Sequence, residues 1–244
     1  MGMLLNVQLS VFSNYHIEAT AKNVTTLMSK LNELGRFEYL PNTIPGQSFD
    51  LVAGKVIPTS NLAFVTKGQL SKVICMDDRI DCQLNYDEEH QDTIESSINF
   101  CKDVLNIIMS EFPICGNRLA ININQLGEPI ETRILDTNIG KRNASLLDFY
   151  EDKDVNDWAT RTNARIPTAD TNFTEILNVI TEISLAQNEQ TEEIRFLQHL
   201  DINTVPENQN IRFSYESIGA FINATKDIVN KLLTDFKELE SVEE

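Results

Sequence analysis

Hydrophobic and polar residues alternate strictly near the start of the chain, over residues 4–12. The hydrophobic positions are Leu5, Val7, Leu9 and Val11, and the polar positions between them are Asn6, Gln8 and Ser10. A period of two places the two sets on opposite sides of an extended segment. The pattern therefore predicts a strand with one buried side.

The period then changes to that of a helix. Over residues 22–34 the hydrophobic residues recur every three or four positions, and Gly35 follows where a glycine commonly ends a helix. The next stretch, YLPNTIPGQ at 39–47, is broken by proline and glycine and is predicted to be a loop. Residues 49–84 then have the pattern of short strands, with turns at Lys67-Gly68 and Asp77-Asp78, which predicts a three-stranded meander.

Two long helices are predicted, at 88–112 and 217–239, because their hydrophobic residues follow spacings of three and four. Acidic residues crowd the start of the first, where a helix dipole favours them. Strands are expected at 117–123, 176–185 and 194–202. Residues 136–172 are polar and are expected to form a long loop with a short helix, or a poorly ordered insert.

The order of these elements predicts an α+β fold, with a mainly antiparallel sheet packed by two long amphipathic helices and a polar insert. We expect one domain over residues 1–244. The alternative is a division into 1–135 and 173–244 around the insert. The sequence shows no internal repeat.

Charge and cysteine content narrow the functional classes. The formal charge of −17 disfavours direct nucleic-acid binding, which needs a surplus of lysine and arginine. No hydrophobic run is long enough to span a membrane, and no basic residue precedes Lys22 as a secretory signal would require. All four cysteines lie in apolar runs, so we expect buried, reduced thiols in a cytoplasmic protein.

No catalytic, cofactor or metal motif is evident. The three histidines, His16, His90 and His199, have no metal-ligand spacing, and the Cys–His pair of a nucleophilic enzyme is not indicated. Asp152-Lys-Asp154 begins like a calcium loop, but the required glycine and the final glutamate are missing. Glu151-Asp152-Lys153, with Asp136 or Asp148, is the alternative: a metal-dependent nuclease or hydrolase with scattered carboxylates. Asp77, Asp78 and Asp81 are explained by turn preference.

The closing helix is the candidate surface for binding a partner. Its hydrophobic face consists of Ile222, Val229, Leu232, Phe236 and Leu239. Such a face usually packs on the protein's own sheet, but it can also meet a helix of another chain. We expect the partner to be another protein or a second copy of this chain.

Several segments resemble an uncharacterised, sporadically distributed bacterial family of α+β proteins. They are the strand pair ending DDRIDCQLNYD with the helix after it, the strand NRLAININQL, and LQHLDINT before the closing helix. Asn122 stands where the resemblance would place an aromatic residue. The resemblance implies a bacterial or phage source and a single domain, and it implies no activity.

The sequence as a whole predicts a non-catalytic interaction or assembly subunit, in the context of antiviral defence or toxin neutralisation.

Overall fold

The computed structural model describes residues 2–50, 54–130, 158–188 and 191–240, which contain nine strands and three α-helices. The strands are β1 (Met3–Phe12), β2 (Tyr39–Asp50), β3 (Lys55–Thr66), β4 (Ser71–Cys75), β5 (Arg79–Asn85), β6 (Arg118–Pro129), β7 (Ala159–Pro167), β8 (Ile176–Gln187) and β9 (Ile194–Thr204). The helices are α1 (Ala21–Glu33), α2 (Ile94–Glu111) and α3 (Tyr215–Glu240), and a 3-10 turn spans Lys67–Gln69.

All nine strands belong to one antiparallel sheet in the order β2-β3-β4-β5-β1-β6-β9-β8-β7. One topological unit occurs twice in this arrangement, with a meander of four strands the first time and three strands the second time. Each unit has a leading strand, a connection, a meander that returns to pair with the leading strand, and a helix after the meander. The units are β1 to α2 and β6 to α3, and the two leading strands pair with each other at the centre. The repeat is visible in the topology although the sequence shows none.

The core lies between the sheet and the three helices. The inward side of β1 is fully buried at Val7, Leu9 and Val11, as the alternation predicts. Leu4 is buried with them and Leu5 is not, because the pairing of β1 with β6 shifts register between Leu4 and Asn6. The α+β fold with an antiparallel sheet and two long packed helices is confirmed.

Three sequence predictions need correction. The predicted loop at 39–47 forms most of β2, where prolines are tolerated because the strand is at the edge of the sheet. Part of the polar insert is a strand, β7, whereas residues 136–157 lie outside the described residues. The helix predicted at 88–112 begins only at Ile94, because Thr93 caps it through a hydrogen bond from the Ser96 N–H.

The thiols are also placed differently from the prediction in one case. Cys75, Cys82 and Cys101 are buried, as expected, but Cys115 is exposed in the turn between α2 and β6. All four are free thiols. Burial raises the pKa of Cys75 to about 12, so this thiol is unreactive at neutral pH.

Candidate functional site

The face of the sheet opposite the three helices, here called the polar face, carries amide, hydroxyl and charged side chains. The alternation that buries one side of β1 places Asn6, Gln8 and Ser10 on the polar face. Neighbouring strands continue the pattern across it. The cross-strand partners are Asn85, Gln83 and Asp81 from β5, Asn124, Asn122 and Ala120 from β6, and His199, Asp201 and Asn203 from β9.

Side chains of the polar face bond to one another across strands. Asn124 Nδ2 donates to Asn6 Oδ1 at 2.9 Å, and Asn124 Oδ1 lies 2.6 Å from His199 Nδ1. With this amide orientation Asn124 Oδ1 can only accept, so His199 Nδ1 carries the proton of that bond. The sequence showed no metal-ligand spacing at His199, and the structure joins this histidine to a chain of polar side chains that crosses β1, β6 and β9.

Three strands bring Arg79, Phe12 and Arg118 into one row at an end of the polar face. Phe12 is the cross-strand partner of both arginines. The Arg118 Cζ atom lies 3.5 Å from the centroid of the Phe12 ring, and the Arg79 Cζ atom lies 5.8 Å from it. Two guanidinium groups therefore approach one aromatic ring, an arrangement that stabilises cations through the ring quadrupole.

Asp81 lies beside this row and is buried. Its Oδ2 is 3.1 Å from Arg79 Nε, whereas its Oδ1 has no hydrogen-bond partner. Burial raises the pKa of Asp81, and the nearby side chains of Ser10 and Arg79 oppose that rise. The predicted turn role of Asp77 and Asp78 agrees with their position between β4 and β5, but Asp81 lies inside β5.

The β2 edge of the sheet is protected against further strand pairing over residues 41–45. The Thr43 N–H bonds to the Asn42 side chain at 2.8 Å, so it points away from β3. N–H directions alternate along a strand, so positions 41 and 45 face the same way. Both are prolines, which have no N–H to donate. Three consecutive outward positions therefore offer no free donor.

The opposite edge, β7, lacks this protection. The Leu185 N–H donates to the Trp158 carbonyl at 3.2 Å, and the Thr168 N–H donates to the Glu175 carbonyl at 2.9 Å. Even-numbered residues of β7 therefore direct their backbone groups toward β8. The odd-numbered residues direct theirs outward, where no backbone partner is found among the described residues. These outward residues are Ala159, Arg161, Asn163, Arg165 and Pro167, and all but the proline have an N–H to donate.

Strand β7 was not predicted from the sequence. A usable signal is present in ATRTNARIP, where Thr160, Thr162 and Ile166 alternate with two arginines and an asparagine. The acidic and polar residues on both sides of this segment made its alternation hard to recognise. The strand order then determines whether the backbone groups of β7 are free, because a strand with the same alternation in the middle of a sheet would pair on both sides.

The residues proposed for partner binding on the closing helix divide into two sets. Val229 and Phe236 are 3% and 2% exposed and contact the chain's own core. Ile222, Leu232 and Leu239 are partly exposed and pack at its margins. Ile222 and Val229 also line a shallow groove between α2 and α3. The partner-binding role of the set stays a prediction, and its exposed members are Ile222, Leu232 and Leu239.

Candidate metal ligands are not brought together within the described ranges. There, no group of three or more histidine, cysteine, aspartate or glutamate side chains could hold a metal ion. His16 pairs with Asp77 at 2.7 Å, and His90 pairs with Asp87 at 2.8 Å. The carboxylates at 136, 148, 151, 152 and 154, predicted for calcium or nuclease chemistry, lie outside the described residues.

Neither a protein-family model nor a curated protein matches this chain. Across the helices that the structure describes, none is both long and apolar enough to cross a membrane.

Proposed function

We propose that this protein is a non-catalytic interaction subunit of a bacterial or phage-related complex, and that it binds a partner protein by strand addition at β7. The observation that supports this most directly is the contrast between the two sheet edges. The β2 edge is blocked at positions 41, 43 and 45, whereas β7 presents four residues with outward N–H groups. An extended segment can pair with such an edge through main-chain hydrogen bonds.

The side chains of β7 favour a partner with acidic residues. Arg161 and Arg165 are on the same side of the strand and are 60% and 59% exposed. Their present partners, Glu182 and Glu207, are also exposed, so these ion pairs cost little to exchange. An incoming strand with acidic residues at alternate positions would meet both arginines.

A second copy of this chain is a poorer partner at this edge. Antiparallel pairing of two β7 strands would line one side of the seam with four arginines, two from each chain. Like charges opposite one another destabilise a strand pair. We therefore favour a different protein over self-association through β7.

The test is the molar mass of the complex, measured by light scattering on the purified protein and on protein isolated from its native host. We expect a monomer of 27.7 kDa when pure and a larger discrete species, containing a second chain, from the host. Asn163→Pro removes one outward N–H without touching the bonds to β8, and should weaken the complex about tenfold or more.

The matched control is Thr43→Pro, which makes the same change at an outward position of the blocked β2 edge. It should leave the complex intact. The proposal is overturned if the host protein is also a 27.7 kDa monomer, or if Asn163→Pro and Thr43→Pro affect the complex equally.

A further inference from the structure

Arg118 differs from the other arginines of the described residues. Six of these seven arginines lie within 4.0 Å of a carboxylate oxygen, namely Arg36, Arg79, Arg161, Arg165, Arg195 and Arg212. Arg118 forms no such pair; its Nε, like that of Arg79, is buried without a hydrogen-bond partner. The chain has a formal charge of −17 and therefore a surplus of carboxylates, so an arginine without a carboxylate partner is unexpected.

The setting of Arg118 holds its guanidinium in place. The group lies over the Phe12 ring, and the two residues are directly opposed on β6 and β1. Arg79 approaches the same ring from β5, and its Nε lies 3.1 Å from the buried carboxylate of Asp81. The charge of Arg79 is thus balanced by the carboxylate of Asp81, whereas no carboxylate contacts Arg118.

We propose that Arg118, on its Phe12 platform, binds the carboxylate group of a small organic acid at this end of the polar face. A planar guanidinium with free N–H donors matches a carboxylate in geometry and charge. The terminal nitrogens of Arg118 have no hydrogen-bond partner among the described residues and, unlike Nε, are not closed off from solvent, so they are the donors that a carboxylate can reach.

The surrounding charges select a singly charged anion. Burial lowers the pKa of Arg118, and the charges of Asp201 and Asp78 oppose that shift, although neither aspartate forms an ion pair with it. A dianion such as phosphate would meet about twice the repulsion from these aspartates that a carboxylate meets. This site is independent of strand addition at β7, since it lies on the central strands β5, β1 and β6 and takes a different kind of ligand.

The experiment is a titration with sodium acetate, monitored by NMR of the arginine Nε–Hε groups. Sodium acetate replaces sodium chloride stepwise, so that the ionic strength stays constant. We expect the Arg118 signal to shift and saturate, while that of exposed Arg161 drifts without saturation. Inorganic phosphate should bind more weakly. Arg118→Gln should abolish acetate-dependent thermal stabilisation, and Phe12→Leu should weaken acetate binding.

Arg161→Gln is the control for thermal stabilisation and should respond to acetate as the parent protein does. A saturating shift that is stronger with phosphate than with acetate would overturn the carboxylate assignment. Equal acetate stabilisation of the parent protein and Arg118→Gln would overturn the site altogether. Because no partner protein is involved, neither result bears on the proposed strand addition.

Discussion

Arg212 and Glu175 form a bidentate ion pair, with Arg212 Nε 2.7 Å from Oε1 and Nη2 3.0 Å from Oε2. Both side chains are largely buried. The remaining terminal nitrogen of Arg212 donates to the main-chain carbonyls of Asn117, Asn208 and Asn210. One guanidinium therefore joins the residue before β6, the segment before β8 and the loop before α3.

Replacing Arg212 by lysine should destabilise the protein by about 3 kcal/mol. A lysine cannot reproduce the two-bond contact with Glu175, and it leaves a buried carboxylate poorly paired. Urea unfolding would measure the loss. Arg165→Lys, in the exposed pair with Glu207, should change stability by less than about 1 kcal/mol. Equal effects of the two substitutions would contradict a structural role for the buried pair.

Tyr39→Phe should cost about 1–2 kcal/mol, because it removes one buried hydrogen bond and little else. Tyr39 is fully buried, and its hydroxyl lies 2.6 Å from Ser71 Oγ. Burial raises the pKa of Tyr39, so the phenol stays protonated. Thermal melts would measure the loss, with Tyr215→Phe as an exposed control expected to melt like the parent. If Tyr39→Phe melts at the same temperature as the parent protein, Ser71 has found another hydrogen-bond partner.

Phe236→Ala should destabilise the protein by about 3–5 kcal/mol, as expected for truncating a buried aromatic side chain. Phe236 packs with Ile183 and Phe196 beneath the end of α3. Leu239→Ala, a partly exposed neighbour, should cost less. If Phe236→Ala instead keeps full stability in urea and lowers the mass of a host complex, Phe236 belongs to an interface with another chain.

Glu240 should make stability fall as pH rises from about 4.5 to about 7. Partial burial raises its pKa to about 7, so the folded state holds a proton in this range that the unfolded state releases. Glu240→Gln should flatten the profile and be the more stable protein above pH 7. Because Glu240 is partly exposed, the gain should stay below about 1.4 kcal/mol per unit of pKa shift.

Urea unfolding at pH 5, 6, 7 and 8 would measure this profile, with Glu238→Gln as the control at an exposed position of the same turn. An unchanged slope in Glu240→Gln would place the pH dependence elsewhere.

Native alkylation should modify Cys115 alone, because the other three thiols are buried. Intact-mass measurement after iodoacetamide treatment should show one added group in the folded protein and four in urea. More than one added group under native conditions would mean that the core around Cys82 and Cys101 opens on the labelling timescale.

Local periodicity identified the elements whose burial follows from their own sequence. The strict alternation in β1 and the three-and-four spacing of α2 and α3 required no knowledge of neighbours. The same reasoning failed for β2, where Pro41 and Pro45 indicated a loop. Those prolines are compatible with a strand only because their missing N–H groups face outward at an edge, and edge position is a property of the whole sheet.

The candidate sites depended on contacts between distant parts of the chain. Arg79 and Arg118 are far from Phe12 in sequence, and only the pairing of β5 and β6 with β1 brings the three together. The open edge at β7 likewise depends on strand order. The hydrophobic face of the closing helix was recognisable, but the sequence could not tell which of its members the sheet would cover, and Val229 and Phe236 are among them.

Pairing of the leading strands β1 and β6 gives the molecule the architecture of a dimer contained in one polypeptide. The association of its two units therefore does not weaken on dilution, as that of separate subunits would. In a dimer of identical chains a substitution changes both copies of a surface, whereas here it changes only one. The two units can therefore differ in sequence. The two ends of the central strand pair differ accordingly: Arg118 contacts Phe12 at one end, and the Glu128 N–H donates to Glu240 at the other.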